Sequence, residues 1–507
     1  MIQINGETAK NRHPVWHRAL ATVALAFISL SVAAAKTGTF TLEDAIAVAQ
    51  RNSYDAQLAR FSFVSSYWTY KSFRAELLPS VNLSGGLANF NHSRVEARNA
   101  DDGRINYVSN NSLTNSLTLS VDQELPSLGG TLSLQSYLYR LDQFDYNMTT
   151  YNSQPLRLTY TQPLKAYNEL KWRKKTAPKE YEMAKRVYLE TVEGVAITAT
   201  NLFFKAVSAQ ANYQQGVSKC QDLENLYAIS QKRFALGTIT KSDLLQLELS
   251  LLNTRVDVTN QKIAMDDALF NLFSYLRMTD YEGVQLASPD RVPDMTINVD
   301  DALQMALANS SHQPEQDVTM LTAQKNLAQA KSAKGLQVQL SGEVGFSRTT
   351  DSFSAAYRNL QDNEIVGVTL SMPIFDWGVQ KGRVKVAQSN LELAKTKVEQ
   401  AHVEYVQGLR RQVVQFSFQA EQCRTSMRAR EISKERYDIT KKRFEAGNIT
   451  VTELNTAMQE QETAKTQFIT QLQTYWTSYF SLRKATLYDW TNHRPLTADF
   501  AALADEP

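Results

Sequence analysis

The sequence has few residues that form turns. It contains 19 glycines and 12 prolines among 507 residues, about half the usual share of each. A chain with few turn-forming residues makes few turns, so its helices and strands are expected to be long. The two cysteines, Cys220 and Cys423, are too few for a disulfide scaffold or a multi-cysteine metal site. We expect both to be free thiols.

The sequence also has no excess of one charge, since 54 Lys+Arg residues stand against 52 Asp+Glu residues. A nucleic-acid-binding domain is usually strongly basic, so no nucleic-acid partner is expected. The glycine motifs of nucleotide-binding proteins and hydrolases are absent, and the six histidines are scattered. We therefore predict no catalytic residue, no metal site and no cofactor, and we expect that the protein is not an enzyme.

Long apolar runs are lacking except at the N-terminus. There a basic start is followed by the apolar run 19–32 and by three alanines at 33–35, which predicts a signal peptide over residues 1–35. The alternative is a membrane anchor, but the run is shorter than the about 20 residues of a membrane span. A mature chain that crosses a membrane must then do so as a closed β-barrel, because lipid cannot satisfy open backbone groups.

The sequence repeats itself. The segment QKRFALGTITKSDL at 231–244 returns 210 residues later as KKRFEAGNITVTEL at 441–454. Seven of the thirteen positions from 232 onward are identical. The segment 41–53 also returns, at 298–310, but with an offset of 257. The two offsets differ by 47 residues, which indicates one insertion in the first repeat, between residues 86 and 163.

These features divide the chain into four parts. They are the signal peptide 1–35, a first structural repeat 36–289, a second structural repeat 290–490 and a C-terminal tail 491–507. Each repeat is predicted to hold a helix, then strands, then a long helical hairpin. The strands are expected at about 80–164 and 337–375, and the hairpins at 165–288 and 378–490.

Apolar and polar residues alternate in the central part of each repeat. The alternation runs over 113–125 and 156–161 in the first repeat, and over 338–346 and 366–372 in the second. A period of two predicts strands with one apolar and one polar face. Such strands suit a soluble β-sandwich as well as a membrane barrel, and the strands alone do not distinguish the two.

Very long helices are predicted after the strands. Residues 374–494 contain no proline, and 164–288 contain only Pro178. A single helix from 165 to 234 would be about 105 Å long. Within the helix that follows, apolar residues recur every seven positions, which is the spacing of a coiled-coil seam. They are Leu249, Val256, Ile263 and Phe270.

Each long helix is predicted to end at a tight turn from which a second helix runs back. Gly237 and Gly447 suit the left-handed position at a helix C-terminus. The segments 240–243 and 450–453 have the Thr-x-x-Asp and Thr-x-x-Glu patterns of a capping box, which starts a new helix.

Three features resemble the TolC-like family of outer membrane channel proteins of Gram-negative bacteria. One is the pair of helical turns at 233–244 and 443–454, with the shared pattern R-F-x-x-G-x-I-T-x-[ST]-[DE]-L. The second is LSMPIFDWG at 370–378, which is similar to the family's Pro-x-Phe-Asp-x-Gly element at a strand end. The third is the helix opening at 41–53 with its counterpart at 298. The resemblance covers about residues 39–490.

The resemblance implies a mixed α and β fold with an internal twofold repeat. Very long antiparallel helices would form a periplasmic α-barrel, and short antiparallel strands would contribute to a transmembrane β-barrel shared by a trimer. The implied function is that of a passive conduit in the outer membrane, part of a tripartite efflux or type I secretion system that exports small molecules or polypeptides. The implied partners are two further copies, a periplasmic adaptor (membrane fusion) protein, an inner membrane transporter of the RND or ABC type, and outer membrane lipid.

An alternative is a non-transporting structural coiled-coil protein or adhesin of the cell envelope. An adhesin stalk does not need two amphipathic β-segments placed symmetrically among its helices, so this alternative is disfavoured. Within the channel class, drug efflux and polypeptide secretion are not separable from this sequence.

The resemblance also assigns residues. The helix tips that contact the adaptor would be Gly237, Thr238, Ile239, Gly447, Asn448 and Ile449. Asp243 and Glu453 occupy positions where family members place acidic residues around the tunnel entrance. Three copies of each would form acidic rings, which favour cations.

The sequence departs from the better-studied family pattern at three of these positions. Thr456, Phe444 and Ile449 stand where that pattern has an acidic residue, a tyrosine and an arginine. These departures count against the ion-pair lock that closes the tunnel entrance in the better-studied pattern. Packing of Phe444, or hydrogen bonds from Ser242 and Thr456, would replace it in the periplasmic gate.

Overall fold

The computed structural model describes residues 39–98, 103–281, 283–290, 292–293 and 295–505. The predicted signal peptide, residues 1–35, lies outside the described residues. The helices are α1 (Leu42–Asn52), α2 (Tyr54–Glu76), α3 (Glu169–Ala235), α4 (Lys241–Leu276), α5 (Val299–Asn309), α6 (His312–Lys334), α7 (Val379–Glu445), α8 (Val451–Thr486) and α9 (Phe500–Asp505). The strands are β1 (Thr39–Phe40), β2 (Ser80–Arg98), β3 (Ile105–Leu125), β4 (Gly130–Gln143), β5 (Met148–Pro163), β6 (Gln285–Leu286), β7 (Gln337–Thr350), β8 (Gln361–Ser371), β9 (Tyr488–Asp489) and β10 (Arg494–Pro495).

Two helical hairpins account for most of the described chain. The long helices α3 and α7 have 67 residues each, and the returning helices α4 and α8 have 36 residues each. A helix of 67 residues is about 100 Å long. Equal lengths at equivalent places are expected of an internal duplication.

Both long helices end in the same glycine turn. Gly237 and Gly447 have φ angles of 74° and 84°, a left-handed conformation that residues with a Cβ rarely adopt. The amide of the residue after each glycine, Thr238 or Asn448, donates to a carbonyl in the last helical turn over 2.9 Å. This bond closes a Schellman motif and satisfies a backbone group that the helix end leaves free.

The helix predicted at the start of the first repeat, before its strands, is in fact two helices. α1 ends at Asn52 and α2 begins at Tyr54, because Ser53 has an extended backbone with ψ of 153°. The Ser53 hydroxyl accepts a hydrogen bond from the amide of Ala56 over 3.2 Å. A capping serine therefore ends one helix and starts the next.

Six antiparallel strands form one open sheet in the order β2-β3-β4-β5-β7-β8. The first repeat supplies four of these strands and the second supplies two. The 47-residue surplus of the first repeat is therefore a further strand pair within the sheet. The strands have 11 to 21 residues and are longer than the short strands predicted, because their hydrogen-bonded ladders continue through polar segments such as 89–98.

The helical part has buried clusters at several levels. One joins α1 to the middle of α3 and to the end of α4, and includes Leu42, Phe203 and Phe273. Another joins the two hairpins near their glycine turns and includes Leu226, Leu247 and Phe444. Among the described residues, no helix combines the length and apolar character needed to cross a membrane.

Candidate channel surfaces and helix tips

One face of the sheet carries an uncovered apolar row. Val81, Val121, Leu134, Leu158 and Val344 lie side by side across β2, β3, β4, β5 and β7. Four of these side chains are between 41% and 69% exposed, and Val121 is half-buried. A continuous apolar surface of this kind is stable against lipid or another apolar surface and unfavourable in water.

The opposite face of the same strands is polar. Asp122, Ser133, Thr159 and Glu343 form the neighbouring row. The Asp122 carboxylate accepts a hydrogen bond from the Ser133 hydroxyl over 2.6 Å, and Asn82 also donates to it over 3.0 Å. A sheet with one apolar and one polar face suits a barrel wall between lipid and a water-filled lumen.

The two edges of the sheet, β2 and β8, are rich in exposed apolar residues. Leu83 on β2 is 70% exposed, and Val366, Val368 and Leu370 on β8 are 62% to 78% exposed. The backbone groups of an edge strand are a template for pairing with another strand. Long apolar edges of this kind are therefore expected to pair with another strand.

The heptad residues on α4 face outward in a single chain. The exposed fractions of Leu249, Val256, Ile263 and Phe270 lie between 57% and 61%. We call these four residues the α4 seam. The helix packs against its own chain through other residues, including Leu247 and Phe273, which are fully buried.

The six predicted adaptor-contacting residues all lie at the two glycine turns. Gly237, Thr238, Gly447 and Asn448 are exposed, and the isoleucine that follows each pair is half-buried. The structure thus brings these residues together at the exposed ends of two neighbouring hairpins.

The two predicted acidic residues lie just past these turns and cap the returning helices. The Asp243 carboxylate accepts from the backbone amide of Thr240 over 3.2 Å and from its hydroxyl over 2.7 Å. Glu453 accepts from the backbone amide of Thr450 over 3.1 Å. Both predicted capping boxes are confirmed. Glu453 stays exposed and Asp243 half-buried, so each can cap a helix and still present its charge to solvent.

The other predicted gate residues have different surroundings. Phe444 is only 2% exposed, and the Arg233 guanidinium donates to its carbonyl oxygen over 3.2 Å. The Thr456 hydroxyl donates to the Thr452 carbonyl oxygen of its own helix over 2.9 Å, and Ser242 is exposed. Phe444 is therefore a packing residue between the two hairpins.

A polar link between the hairpins was missed by the sequence analysis. Asp222 on α3 accepts hydrogen bonds from the Tyr437 hydroxyl over 2.7 Å and from the Lys441 ammonium over 2.6 Å. Lys441 is the first residue of the second repeat motif, and its place there was the only sequence signal for this polar link. Asp222 lies outside both copies of the motif, so its role could not be seen.

The chain matches a known family and several solved structures. Residues 302–486 match the family model described as outer membrane efflux protein. The structure is similar to the Campylobacter jejuni CmeC outer membrane channel, with a TM-score of 0.62, 16% identity and coverage of 91% of this chain and 88% of that one. It is also similar to the outer membrane protein VceC of Vibrio cholerae, with a TM-score of 0.61, 12% identity and coverage of 88% and 95%. No curated protein sequence matches the chain.

The fold is thus that of an outer membrane channel, with very long antiparallel helices joined to antiparallel strands. A third similar structure, the open state of the Neisseria gonorrhoeae MtrE outer membrane channel, has a TM-score of 0.56, 14% identity and coverage of 88% of each chain. Together with the efflux domain at 302–486, this confirms the predicted resemblance to TolC-like channels. The chain therefore has the fold of outer membrane channels and contains an outer membrane efflux protein segment at 302–486, and the adhesin alternative is not favoured.

Proposed function

We propose that three copies of the chain form one passive conduit, in which their strands close a single barrel in the outer membrane and their hairpins continue it as a periplasmic tunnel. The open sheet is the observation that supports this most directly. Its apolar row is uncovered and its two edges, β2 and β8, carry exposed apolar residues. Pairing β8 of one copy with β2 of the next removes every edge, which a barrel in lipid requires.

The strand number predicts a wide barrel. Six strands from each of three copies make about 18 strands, and a barrel of that size leaves a water-filled channel. The row that contains Asp122 and Glu343 would line the lumen, and the row that contains Val81 and Val344 would face lipid. The strand pair added in the first repeat therefore widens the outer membrane pore.

The α4 seam supports assembly in the helical part. Its four apolar residues are more than half exposed in one chain. The long helix α7 also has exposed apolar residues, at Val386, Leu393, Val403, Val414, Phe418, Ile432 and Ile439. Helices pack when apolar ridges of one enter grooves of another, so the seam of one copy would pack against a neighbouring copy.

The exposed glycine turns are the proposed docking points for a periplasmic adaptor protein. They form the far ends of helices about 100 Å long, where a partner can reach them without disturbing the hairpins. An inner membrane transporter of the RND or ABC type would supply energy and select the cargo, either small molecules or polypeptides. The channel itself would open and close without chemistry of its own.

Asp243 and Glu453 are proposed to form acidic rings at the tunnel entrance. Because carboxylates grouped in a pore attract cations, removing them is expected to lower cation preference. Asp243→Asn and Glu453→Gln are the informative substitutions, since an amide oxygen can still accept the backbone hydrogen bond of the capping box. The double variant is expected to lose at least half of its cation-over-anion permeability ratio in planar-bilayer recordings.

The control separates the ring charge from helix capping. Asp243→Ala with Glu453→Ala removes both charge and cap, and is expected to match the amide variant in ion preference while destabilising each helix start by about 1 kcal/mol. Glu43→Gln removes an exposed carboxylate on α1, far from the turns, and should leave ion preference unchanged. Unaltered conductance and selectivity in the Asn/Gln variant would refute the acidic entrance.

A further inference from the structure

A cleft between three long helices has no role in the proposed conduit. Its volume is about 490 Å³, and it lies between α3, α7 and α8. Each helix contributes side chains three or four residues apart, which lie on one helix face. The polar and charged lining residues are Gln214, Gln215, Ser218, Lys219 and Asp222 on α3, Arg430, Lys434 and Tyr437 on α7, and Gln461 and Lys465 on α8.

Two of the charged lining residues already have partners. The Asp222 carboxylate accepts from Tyr437 and from Lys441, which lies 2.6 Å away. The Lys219 ammonium lies 3.2 Å from the Glu462 carboxylate. Within each pair the two charges neutralise each other. Among the described residues, the other cations of the cleft have no such carboxylate partner.

The three remaining cations are Arg430, Lys434 and Lys465. The Arg430 guanidinium is held 4.4 Å from the centre of the Phe468 ring, and the Lys465 ammonium donates to the Ala211 carbonyl oxygen over 3.2 Å. Lys434 is exposed. In the part of the chain that the structure describes, none of the three has a carboxylate within 4.0 Å.

The positive charge of the cleft affects the pKa of Lys465. Burial lowers the pKa of its ammonium, and the nearby Arg430 charge lowers it further. The two cations repel each other, and salt screens this repulsion poorly because the site is half-buried. An anion placed between them would therefore stabilise both.

We propose that this cleft binds small oxyanions with two or more negative charges, such as inorganic phosphate, sulfate or a dicarboxylate. Arg430 offers a planar guanidinium that can bind two oxygens at once, and Lys434 and Lys465 supply two further positive charges. The side-chain amides of Gln214 and Gln461 can donate hydrogen bonds to the remaining oxygens. A single chloride would neutralise only one of the three cations. The proposal concerns one chain and does not depend on the conduit.

The test is isothermal titration calorimetry of the full-length protein in detergent. Sodium phosphate and sodium succinate are titrated separately at an ionic strength held constant with sodium chloride. We expect saturable binding of at least one of them, with one site per chain. Binding should weaken at least tenfold in Lys465→Met and in Arg430→Gln. It should be unchanged in Arg411→Gln, where an exposed arginine on α7 lies outside the cleft.

Lys434→Gln keeps the result interpretable if a half-buried variant folds poorly. Lys434 is exposed, so its replacement should leave the fold intact and still weaken binding about threefold, the loss of one contributing charge. Binding of phosphate alone would identify an inorganic ligand, and binding of succinate alone an organic one. The proposal fails if neither binds above the chloride background, or if Arg411→Gln weakens binding as much as Lys434→Gln does.

Discussion

Arg483→Met is expected to destabilise the chain by about 1–2 kcal/mol at pH 8, because a buried carboxylate that loses its cation must take up a proton to stay buried. Arg483 Nε lies 3.2 Å from an Oε of Glu193, and Arg483 also lies 4.0 Å from Asp489. Glu193 is only 4% exposed. Burial raises the pKa of Glu193 to about 7, although the Arg483 charge opposes the rise.

The same variant is expected to lose less stability at pH 5. A carboxyl whose pKa is raised by folding binds its proton more tightly in the folded chain, so its contribution to stability falls as pH rises from about 4.5 to about 7. Without Arg483 the pKa rises further. At pH 5 the folded variant then holds a neutral Glu193, and the penalty of a buried charge is avoided.

Urea unfolding followed by tryptophan fluorescence at pH 5 and pH 8 measures both effects. Arg428→Met is the matched control, since Arg428 pairs with Glu431 over 3.0 Å in an exposed position and should cost less than about 1 kcal/mol at either pH. Adding Glu193→Gln to Arg483→Met should restore most of the loss at pH 8. An equal loss at the two pH values, or a loss no larger than that of the control, would contradict this explanation.

Phe273→Ala is expected to lower the free energy of unfolding by about 3–5 kcal/mol, because it opens a cavity in a packed cluster. The Phe273 ring is fully buried and stacks on Tyr281 with 4.7 Å between ring centres. Its centre also lies 5.5 Å from that of Phe40, whose strand β1 pairs with β6. The variant should therefore also loosen the segment that follows α4, which increased proteolysis near residue 285 would report.

Phe270→Ala is the matched comparison one turn earlier on the same helix. Phe270 belongs to the α4 seam and is 60% exposed in one chain, so its removal should cost a single chain less than about 1 kcal/mol. If the seam packs against another copy, the assembled protein should instead dissociate at a lower temperature on semi-native gels. An equal loss of unfolding free energy in the two variants would contradict the prediction that burial within one chain makes Phe273 more important than Phe270.

Much of the helical part could be predicted because local signals there are strong. The scarcity of proline allowed two very long helices, and Gly237 and Gly447 marked their ends. The two capping boxes were visible in four-residue patterns, since a cap depends only on neighbours along the chain. The break at Ser53 was missed because the apolar pattern continues through it, and a serine inside a helical pattern is a weak signal.

Features that depend on distant segments could not be predicted. Glu193 is one acidic residue on a helix of 67 residues, and the cation beside it, Arg483, is nearly 300 residues away in the sequence. The oxyanion cleft combines three segments of three helices, none of which has an unusual composition. The added strand pair showed alternation, but the six-strand order follows from hydrogen bonding between β5 and β7 of different repeats.

The central claim is that the sheet of one copy is completed by the sheet of the next. The measurement is disulfide formation in the outer membrane between cysteines placed on the two edge strands, with Cys220→Ser and Cys423→Ala removing the native thiols. Ser80→Cys on β2 would be combined in turn with Thr369→Cys and Ser371→Cys on β8, so that two registers between copies are tested. Ser80→Cys with Thr131→Cys is the control, since Thr131 lies on β4, which is paired on both sides within the chain.

At least one edge pair is expected to give a ladder of covalent dimers and trimers on denaturing gels, with no species above three copies. The interior control is expected to give single chains only. Single chains from every edge pair, or the same ladder from the control, would contradict a barrel closed by neighbouring copies.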